Sequence, residues 1–347
     1  MIAPTNQDLA TKKVVALARG SPPLDSLTIA HDRRVARSGP RVTGAAAASC
    51  STVPRMVTAA VKYVPARVAH TALQRPRTPG ELVNILRTRS PAKRLQNLTV
   101  LVTGSSSGIG AAAAEAFARR GAHVLMVARR AHSLDELVTR IRAEGGYADT
   151  CPADLSDTDD TARLIQHVLD EYGCPDIVVN NAGRSIRREV LDSTDRLHDY
   201  QRTMAVNYFG PVQLTLGFLP AMKERGSGHF INVSTWGIPM GAMPKFSAYA
   251  GSKAAITAFG RSIASELRGT GVSVTTVFFP LVRTPMIEPT DEYHQTPALT
   301  AVEAAGWLVH AAVYRDLEVM PRVARFLRRV GAASSRVADR LVERNAP

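Results

Sequence analysis

Short apolar runs alternate with helical segments in strict rotation from Leu98 onward. Two of these runs, Leu98–Thr103 and His123–Val127, lack polar alternation, which is typical of strands buried on both faces. Strands in rotation with helices require right-handed crossovers, and these cover a parallel sheet with helices on both faces. The sequence therefore predicts an α/β fold with a doubly wound parallel sheet.

Strands and helices can be placed along this region from the apolar pattern. The predicted strands are Leu98–Thr103, His123–Val127, Ala148–Cys151, Ile177–Val179, Phe230–Val233, Ser273–Phe278 and Leu317–Met320. The predicted helices are Ala111–Arg119, Leu134–Glu144, Thr158–Tyr172, Arg196–Lys223, Tyr249–Arg268 and Ala301–Val313.

Basic charge is concentrated at the amino-terminal end. Residues 1–95 hold 16 Lys+Arg against 4 Asp+Glu, whereas the other 252 residues hold 27 against 26. With 45% apolar side chains the chain can build a core, which excludes a wholly disordered or collagen-like protein. We expect a basic extension over residues 1–95, a single folded domain over 96–320 and a basic amphipathic helix over 321–347.

The extension is expected to be largely without a packed core. Residues 1–55, rich in Arg, Ala, Ser and Pro, are interpreted as disordered or as lying upstream of a true start at Met56, with an organelle transit peptide as a third interpretation. Residues 56–95 could form helices over Val57–Ala69 and Glu81–Arg87. We prefer a solvated strap on the domain surface for them, with a phosphate or anionic-membrane contact as the alternative.

Several protein classes are disfavoured by composition. Three cysteines (Cys50, Cys151 and Cys174) without metal-ligand spacing argue against a disulfide framework or zinc module, and the histidines form no ligand pair, so no metal is expected. No stretch is apolar enough for the roughly 20 residues that cross a bilayer, and Met1–Leu9 lacks the features of a signal peptide. A reducing cytoplasm is the expected location, with peripheral membrane contact left open.

A glycine-rich turn, Thr103–Gly110 (TGSSSGIG), lies between the first strand and an Ala-rich helix. Gly104 permits a tight turn, Gly108 lets the backbone approach a pyrophosphate, and Gly110 lets the helix pack on the strand. The free N–H groups of the helix N-terminus favour phosphate binding. Since the Gly-Lys-Ser/Thr of a P-loop is absent, the turn predicts a Rossmann-type dinucleotide site.

The residue after the second strand discriminates between dinucleotides. An acidic residue there would accept the ribose 2′-hydroxyl of NAD, but this chain has Arg129. A guanidinium can make a forked, charge-assisted contact with a 2′-phosphate, which favours NADPH. The alternative is that Arg129 and Arg130 are ordinary surface charges.

Tyr249 and Lys253 are four residues apart, which places a phenol and an ammonium on one face of a helix. A free tyrosine has a pKa near 10 and relays protons poorly at neutral pH. We expect the ammonium, together with the positive charge of an oxidised nicotinamide, to lower the pKa of Tyr249. The pair predicts acid–base catalysis.

Taken together, residues 96–320 resemble the short-chain dehydrogenase/reductase family. The resemblance is carried by Thr103–Gly110, Asn180–Gly183 (NNAG), a mid-helix Asn207, a Ser/Thr pair after a strand, and Tyr249 with Lys253. It implies an NADP-dependent oxidoreductase, with a small-molecule substrate, that forms a homo-oligomer through its two long helices.

The resemblance assigns roles to individual residues. Tyr249 would protonate the nascent alkoxide. Lys253 would lower the pKa of Tyr249 and hold the nicotinamide ribose, and Asn207 would anchor a water in the proton relay. Asp154 and Leu155 would border the adenine. The full set of implied cofactor-binding residues is Gly104, Ser106, Ser107, Gly108, Ile109, Gly110, Arg129, Asp154, Leu155, Asn181, Ala182, Gly183, Tyr249, Lys253 and Thr284.

Two positions depart from the family pattern. The substrate-polarising serine of the family corresponds to Thr235, which is 14 residues before Tyr249, one more than is common; Ser234 is the neighbouring candidate, with Thr235 slightly ahead. Leu281 stands where the family often has glycine, near Thr284, which would contact the nicotinamide carboxamide.

Longer stretches resemble the reductase domain of bacterial fatty acyl-CoA reductases. They are Asn180–Arg188, Asp195–Gly210, Phe246–Tyr249 and Pro280–Thr290. The resemblance implies reduction of a long-chain acyl-CoA to a fatty aldehyde. A 3-oxoacyl or other lipid ketone reductase is the alternative within the class, because fold does not determine substrate. A cofactor-sensing binding protein without turnover is the alternative from another class, and a nucleic-acid partner for the extension is not favoured.

Two further segments have interpretations that stay open. Met286–Leu299 would follow the sixth strand over the cofactor cleft as a substrate lid, or be an ordinary surface loop. Val323–Asn345 has an apolar face and many arginines, so it would contact a membrane or CoA phosphates, or dock on its own domain.

Overall fold

The computed structural model describes residues 66–76, 95–288, 290–293 and 295–333. Within them, seven strands form one sheet. The strands are β1 (Thr99–Thr103), β2 (His123–Ala128), β3 (Tyr147–Pro152), β4 (Ile177–Asn180), β5 (Gly228–Thr235), β6 (Val272–Phe279) and β7 (Glu318–Val319). All pairings are parallel, in the order β3-β2-β1-β4-β5-β6-β7, so the predicted doubly wound α/β fold is confirmed.

Helices cover both faces of this sheet. They are α1 (Ala66–Leu73), α2 (Gly108–Ala118), α3 (Ala131–Ala143), α4 (Thr158–Tyr172), α5 (Leu197–Met204), α6 (Gly210–Arg225), α7 (Gly237–Met240), α8 (Ser247–Glu266), α9 (Ala301–Tyr314) and α10 (Arg322–Ala333). Side chains of α2, α3 and α9 form one apolar core against the sheet, and those of α4, α6 and α8 form the other. Burial of apolar area on both faces drives this layered packing.

The order of the strands creates a crevice at one edge of the sheet. β1 pairs with β2 on one side and with β4 on the other, so the chain reverses its direction of travel across the sheet between these neighbours. In open α/β sheets, ligands bind outside the carboxyl ends of the strands at such a switch point. Thr103, Asn180 and Thr235 end β1, β4 and β5 and therefore lie at this edge.

One predicted helix, Arg196–Lys223, is interrupted in the structure. α5 and α6 are joined by a π-helical turn over Ala205–Phe209, with Asn207 at its centre. A π turn inserts one extra residue into a helix and is frequent at functional sites. Its effect here is to direct Asn207 toward the backbone of another segment.

The amino-terminal segment contacts the body of the domain through α1. His70 Nε2 lies 2.8 Å from Glu303 Oε1, and Gln74 Nε2 donates to the same oxygen at 3.0 Å. Leu73 is buried, and Gln74 O accepts from Arg322 N. The predicted helix Val57–Ala69 overlaps α1 only at its end. Residues 1–65 and the predicted helix Glu81–Arg87 lie outside the described residues.

The carboxyl-terminal helix docks on the protein. α10 contacts α1 and α7, with Ala324 buried and Phe326 exposed, and Arg328 pairs with Glu318 of β7. Residues beyond Ala333 lie outside the described part. Among the helices that the structure describes, none combines the length and the hydropathy needed to span a bilayer.

Candidate active site

The glycine turn leaves no space for side chains at three positions. Gly104 and Gly108 have φ of +69° and +57°, in the left-handed region. A β-carbon on Gly104 would lie 2.8 Å from Ala182 Cα, and one on Gly110 would lie 2.2 Å from Gly104 O. A β-carbon on Gly108 would meet Thr284 Cγ2 at 3.0 Å. The turn, the start of α2 and two distant segments therefore meet within van der Waals distance.

Thr103, at the end of β1, connects this turn to the segment after β4. Its Oγ1 donates to Val179 O and accepts from the backbone N–H groups of Asn181 and Ala182, both at 2.9 Å. Asn181 Nδ2 in turn donates to Thr103 O at 2.8 Å. The sequence analysis did not include Thr103 among the site residues, although a polar residue ending an apolar strand was a signal for it.

These features fit a dinucleotide. α2 begins at Gly108, and Ser107 before it has an extended conformation. Ser107 is exposed to solvent, and Ser106 and Ile109 are partly exposed. N–H groups at a helix N-terminus have no intrahelical partner and attract phosphate. Gly104 is partly exposed, so the absence of a side chain there leaves bare backbone where such a ligand would approach.

Arg129 follows β2 and lies beside the segment predicted to border adenine. Its side chain is 71% exposed, and its Nη1 is 3.8 Å from Asp154 Oδ2. Burial opposes ionisation of Asp154, but two hydrogen bonds from Ser156 and the guanidinium of Arg129 together hold the pKa of Asp154 below its usual range. Leu155 is buried, and a β-carbon on Gly210 would lie 2.5 Å from Leu155 O.

Tyr249 and Lys253 lie on α8, where Lys253 is buried and Tyr249 is partly exposed. Lys253 Nζ donates to Val233 O at 2.9 Å and is 5.9 Å from the centre of the Tyr249 ring. Burial lowers the pKa of Lys253 to about 8. Burial, with a smaller contribution from Tyr293, raises the pKa of Tyr249 to about 12.

This direction for Tyr249 is opposite to the one expected from the spacing. The expectation counted the attraction of the ammonium and of an oxidised nicotinamide, and it neglected the cost of burying a phenolate. In the structure the ammonium donates to a backbone carbonyl, so desolvation dominates among the groups of the protein itself. Tyr249 therefore carries its proton at neutral pH.

Asn207 connects the π turn to the loop after β4. Its Oδ1 accepts from Arg184 N at 2.7 Å, and its Nδ2 donates to Arg184 O and to Ser252 Oγ. Ser252 Oγ donates to Tyr249 O, so Asn207 is held to the same turn of α8 as the tyrosine. Ser252 was not singled out from the sequence, although its position between Tyr249 and Lys253 was visible.

Gly183 marks the point where these side chains converge. A β-carbon on Gly183 would lie 3.3 Å from Asn207 Oδ1 and 3.5 Å from Lys253 Nζ. Since Asn181 and Ala182 contact Thr103 beside the glycine turn, the NNAG segment joins this turn to Asn207 and Lys253.

The structure distinguishes the two candidate hydroxyls at the end of β5. Ser234 is buried, and its Oγ is 3.0 Å from Thr257 Oγ1. Thr257 Oγ1 donates its own proton to Lys253 O, so the hydroxyl of Ser234 is the donor between the two. Thr235 is the last residue of the strand and is partly exposed. The contact of Ser234 with Thr257 could not be inferred from sequence spacing.

The segment after β6 returns to the glycine turn. Thr284 contacts Gly108, as described above, and its Oγ1 donates weakly to Val282 O at 3.4 Å. Leu281, the departure from the family pattern, accepts from Leu299 N, and Arg283 N donates to Leu299 O. The two ends of the Met286–Leu299 segment are thereby held together, as expected of a compact loop.

In the described part of the chain, no group of three or more His, Cys, Asp or Glu side chains is arranged to hold a metal ion. The fold and the site define an oxidoreductase with a dinucleotide crevice and a Tyr–Lys pair on one helix.

Comparisons with known proteins agree with this class. A family model described as short chain dehydrogenase matches residues 98–295. A fatty acyl-CoA reductase of Mycobacterium tuberculosis is 43% identical over 287 residues, which cover 82% of this chain and 96% of the relative. A fatty acyl-CoA reductase of Acinetobacter baylyi is 43% identical, covering 67% of this chain and 79% of the relative.

A solved structure has the same fold. A short-chain dehydrogenase from Sphingobium yanoikuyae in complex with NADPH matches with a TM-score of 0.61 and 28% identity, covering 70% of this chain and 96% of that one. The chain described here belongs to the short-chain dehydrogenase family.

Proposed function

We propose that this protein is an NADPH-dependent reductase that converts a long-chain fatty acyl-CoA to a fatty aldehyde. The single observation that carries the proposal is the convergence of Asn207 and Lys253 on Gly183, next to the glycine turn, with Tyr249 one helical turn before Lys253. The choice of substrate is supported by the similarity to two fatty acyl-CoA reductases, one of which is matched over 96% of its length.

The cofactor-binding residues are proposed from the same geometry. The backbone of the turn, with Ser106, Ser107 and Ile109, holds the pyrophosphate, and Arg129 contacts the 2′-phosphate that distinguishes NADPH from NADH. Arg129 is exposed at the end of β2 and so can form this contact without breaking a buried ion pair. Thr284, against Gly108, borders the nicotinamide end.

Reduction of a thioester to an aldehyde consumes one hydride and one proton and releases a thiol, and the hydride is the chemistry that bound NADPH supplies. The protein must therefore polarise the carbonyl, stabilise negative charge on its oxygen and deliver the proton. Tyr249 holds this proton at neutral pH, since its pKa of about 12 lies well above 7.

Thr235 is the proposed hydroxyl that polarises the carbonyl oxygen, because the hydroxyl of Ser234 already donates to Thr257. Lys253, buried and charged below a pH of about 8, places positive charge near the phenol. Asn207 positions this arrangement by holding Arg184 and Ser252.

The proposal is tested by incubating the protein with palmitoyl-CoA and NADPH while aldehyde and free thiol are both measured. We expect the two products in equal amounts, and none with Tyr249→Phe. Consumption of a 3-oxoacyl ester without thiol release would instead indicate a ketone reductase. NADPH binding without turnover of any carbonyl would indicate a sensor.

A further inference from the structure

Several arginines surround one buried carboxylate near the start of α5. Asp199 has a side chain only 5% exposed. Its Oδ1 accepts from Arg202 Nη2 at 2.5 Å, and its Oδ2 accepts from Arg196 Nε at 2.9 Å and lies 3.7 Å from Arg188 Nε. His198 Nε2 is 3.4 Å from Oδ1. We call these five residues the Asp199 cluster.

The charges within the Asp199 cluster do not balance. Three guanidinium groups, each always protonated, face a single carboxylate, so the cluster carries at least two surplus positive charges. Arg202 and Arg196 lower the pKa of Asp199 to about 2, so Asp199 is already ionised at neutral pH. Its single negative charge is therefore included in this count. The positively charged guanidinium groups repel one another, and an anion bound beside them would relieve this repulsion.

Guanidinium groups are also well suited to phosphate. Their planar fork donates two parallel hydrogen bonds, and one carboxylate occupies only part of the donors of three arginines. Because Asp199 is buried and accepts hydrogen bonds from Arg196 and Arg202, the remaining donors of these two guanidinium groups are oriented in advance. The side chains of Arg188, Arg196 and Arg202 are between a third and a half exposed, so these donors can reach a ligand from solvent.

The Asp199 cluster lies beside the proposed active site. Arg184 is held by Asn207, and four residues later Arg188 N donates to Lys245 O at 2.7 Å. Lys245 precedes Tyr249 by four residues. The segment that carries Arg188 therefore runs from the acid–base residues to the loop in front of α8.

A second contact ties α5 to the same place. Tyr200, next to Asp199, has its hydroxyl 2.7 Å from Ser247 Oγ, and Ser247 is the first residue of α8. The segment that carries Arg188 and the helix that carries Asp199 are thus both connected to the beginning of α8, the helix that carries Tyr249.

Acidic side chains of the intervening segment do not neutralise the cluster. Glu189, Asp192 and Asp195 are all exposed to solvent, where water and salt screen their charge. Asp199 differs from them because it is buried.

We propose that the Asp199 cluster binds the phosphate groups of the coenzyme A carrier of the acyl substrate. The inference rests on the proposed function, because it names the part of the substrate that lies outside the reacting carbonyl. The acyl chain and thioester enter beside Tyr249, and the phosphates of the carrier remain at the mouth of the cleft on Arg188, Arg196 and Arg202.

The test compares two thioesters that share a reacting group. Palmitoyl-CoA carries the phosphates, whereas the palmitoyl thioester of N-acetylcysteamine lacks them. With saturating NADPH, we expect Arg202→Gln to raise KM for palmitoyl-CoA about tenfold, the cost of one charge-assisted hydrogen bond, and to change kcat little. The ratio of kcat/KM for palmitoyl-CoA to that for the second thioester should fall by the same factor.

The structure offers a matched control for this variant. Arg163 on α4 pairs with Asp160 at the same three-residue spacing as Arg202 with Asp199, and it is exposed. Arg163→Gln should leave the ratio of the two kcat/KM values unchanged. Equal losses on both thioesters with Arg202→Gln, or no loss on either, would overturn the phosphate site.

Binding of free coenzyme A separates failure of this inference from failure of the proposed function. The protein is saturated with NADP⁺, so that coenzyme A cannot occupy the dinucleotide crevice, and is then titrated with coenzyme A by calorimetry. Weaker binding to Arg202→Gln, by about tenfold, supports the site even if neither thioester is reduced. Absence of binding, or equal binding to wild type and variant, refutes the site even if both thioesters are reduced.

Discussion

Lys253 and Tyr249 are neighbours on one helix, and burial shifts their pKa values in opposite directions. Desolvation disfavours the charged form of each group, so the pKa of the amine falls to about 8 and that of the phenol rises to about 12. At neutral pH both groups therefore hold their protons, which is the state needed to donate one to a reduced carbonyl.

The lowered pKa of Lys253 predicts the pH dependence of reduction. Below a pH of about 8 the amine is charged, and above it the charge is lost, so kcat/KM for reduction should fall as pH rises through about 8. Initial rates between pH 6 and about 10 measure this, with the rate without enzyme subtracted. In Lys253→Arg the guanidinium stays charged, so kcat/KM should not fall in this pH range. A flat wild-type profile would contradict the assignment.

The two hydroxyls at the end of β5 should respond differently to deletion. Thr235→Ala is expected to lower kcat about 100-fold, the usual cost of one oxyanion donor. Ser234→Ala should lower kcat much less, because the hydroxyl of Ser234 donates to Thr257. Steady-state kinetics on both variants, with NADPH affinity as the control for folding, decide between them. A larger loss for Ser234→Ala would reverse the roles.

At the scale of elements, the turn that connects β1 to α2 depends on three glycines, Gly104, Gly108 and Gly110. Gly110→Ala should prevent α2 from packing on the turn, since the new β-carbon would lie 2.2 Å from Gly104 O. We expect a lower melting temperature and loss of NADPH affinity, measured by calorimetry and by cofactor fluorescence.

A helical glycine outside the site is the matched control for this variant. Gly306 lies exposed on α9, with no atom within 4 Å of the position of a β-carbon. Gly306→Ala should stabilise the protein by roughly 0.5–1 kcal/mol, because alanine loses less backbone entropy than glycine in a helix. NADPH affinity that survives Gly110→Ala would show that the turn tolerates a side chain.

Most element positions could be predicted because the signals are local. Strands such as Ile177–Asn180 are apolar up to their last residue because both faces are buried, and the predicted strand limits agree with the structure to within two residues. The π turn could not be predicted, because it depends on hydrogen bonds between Asn207 and the backbone of Arg184, 23 residues earlier in the chain. The direction of the Tyr249 pKa failed for a related reason, since burial is a property of the tertiary structure.

At the scale of the whole molecule, we propose that exposed apolar side chains near the start of α6 mediate association between copies of the chain. Phe209 and Leu216 are seven residues apart and are 60% and 58% exposed. Two such side chains on one helical face are costly in water, which supports the expected homo-oligomer. Phe209→Asp should lower the mass measured by light scattering to that of one chain. A wild-type protein that is already monomeric would contradict the expectation.

The contact of α1 with Glu303 has a consequence for expressing shorter versions of the gene. Glu303 completes the capping box of α9 with Thr300, at the end of the loop that closes on Leu299. Its other carboxylate oxygen is held by His70 and Gln74, both of which lie before the region that matches the family. Starting the coding sequence at Leu98, where the match to the family begins, would remove these two partners, and the carboxylate of Glu303 would then be held by Thr300 alone.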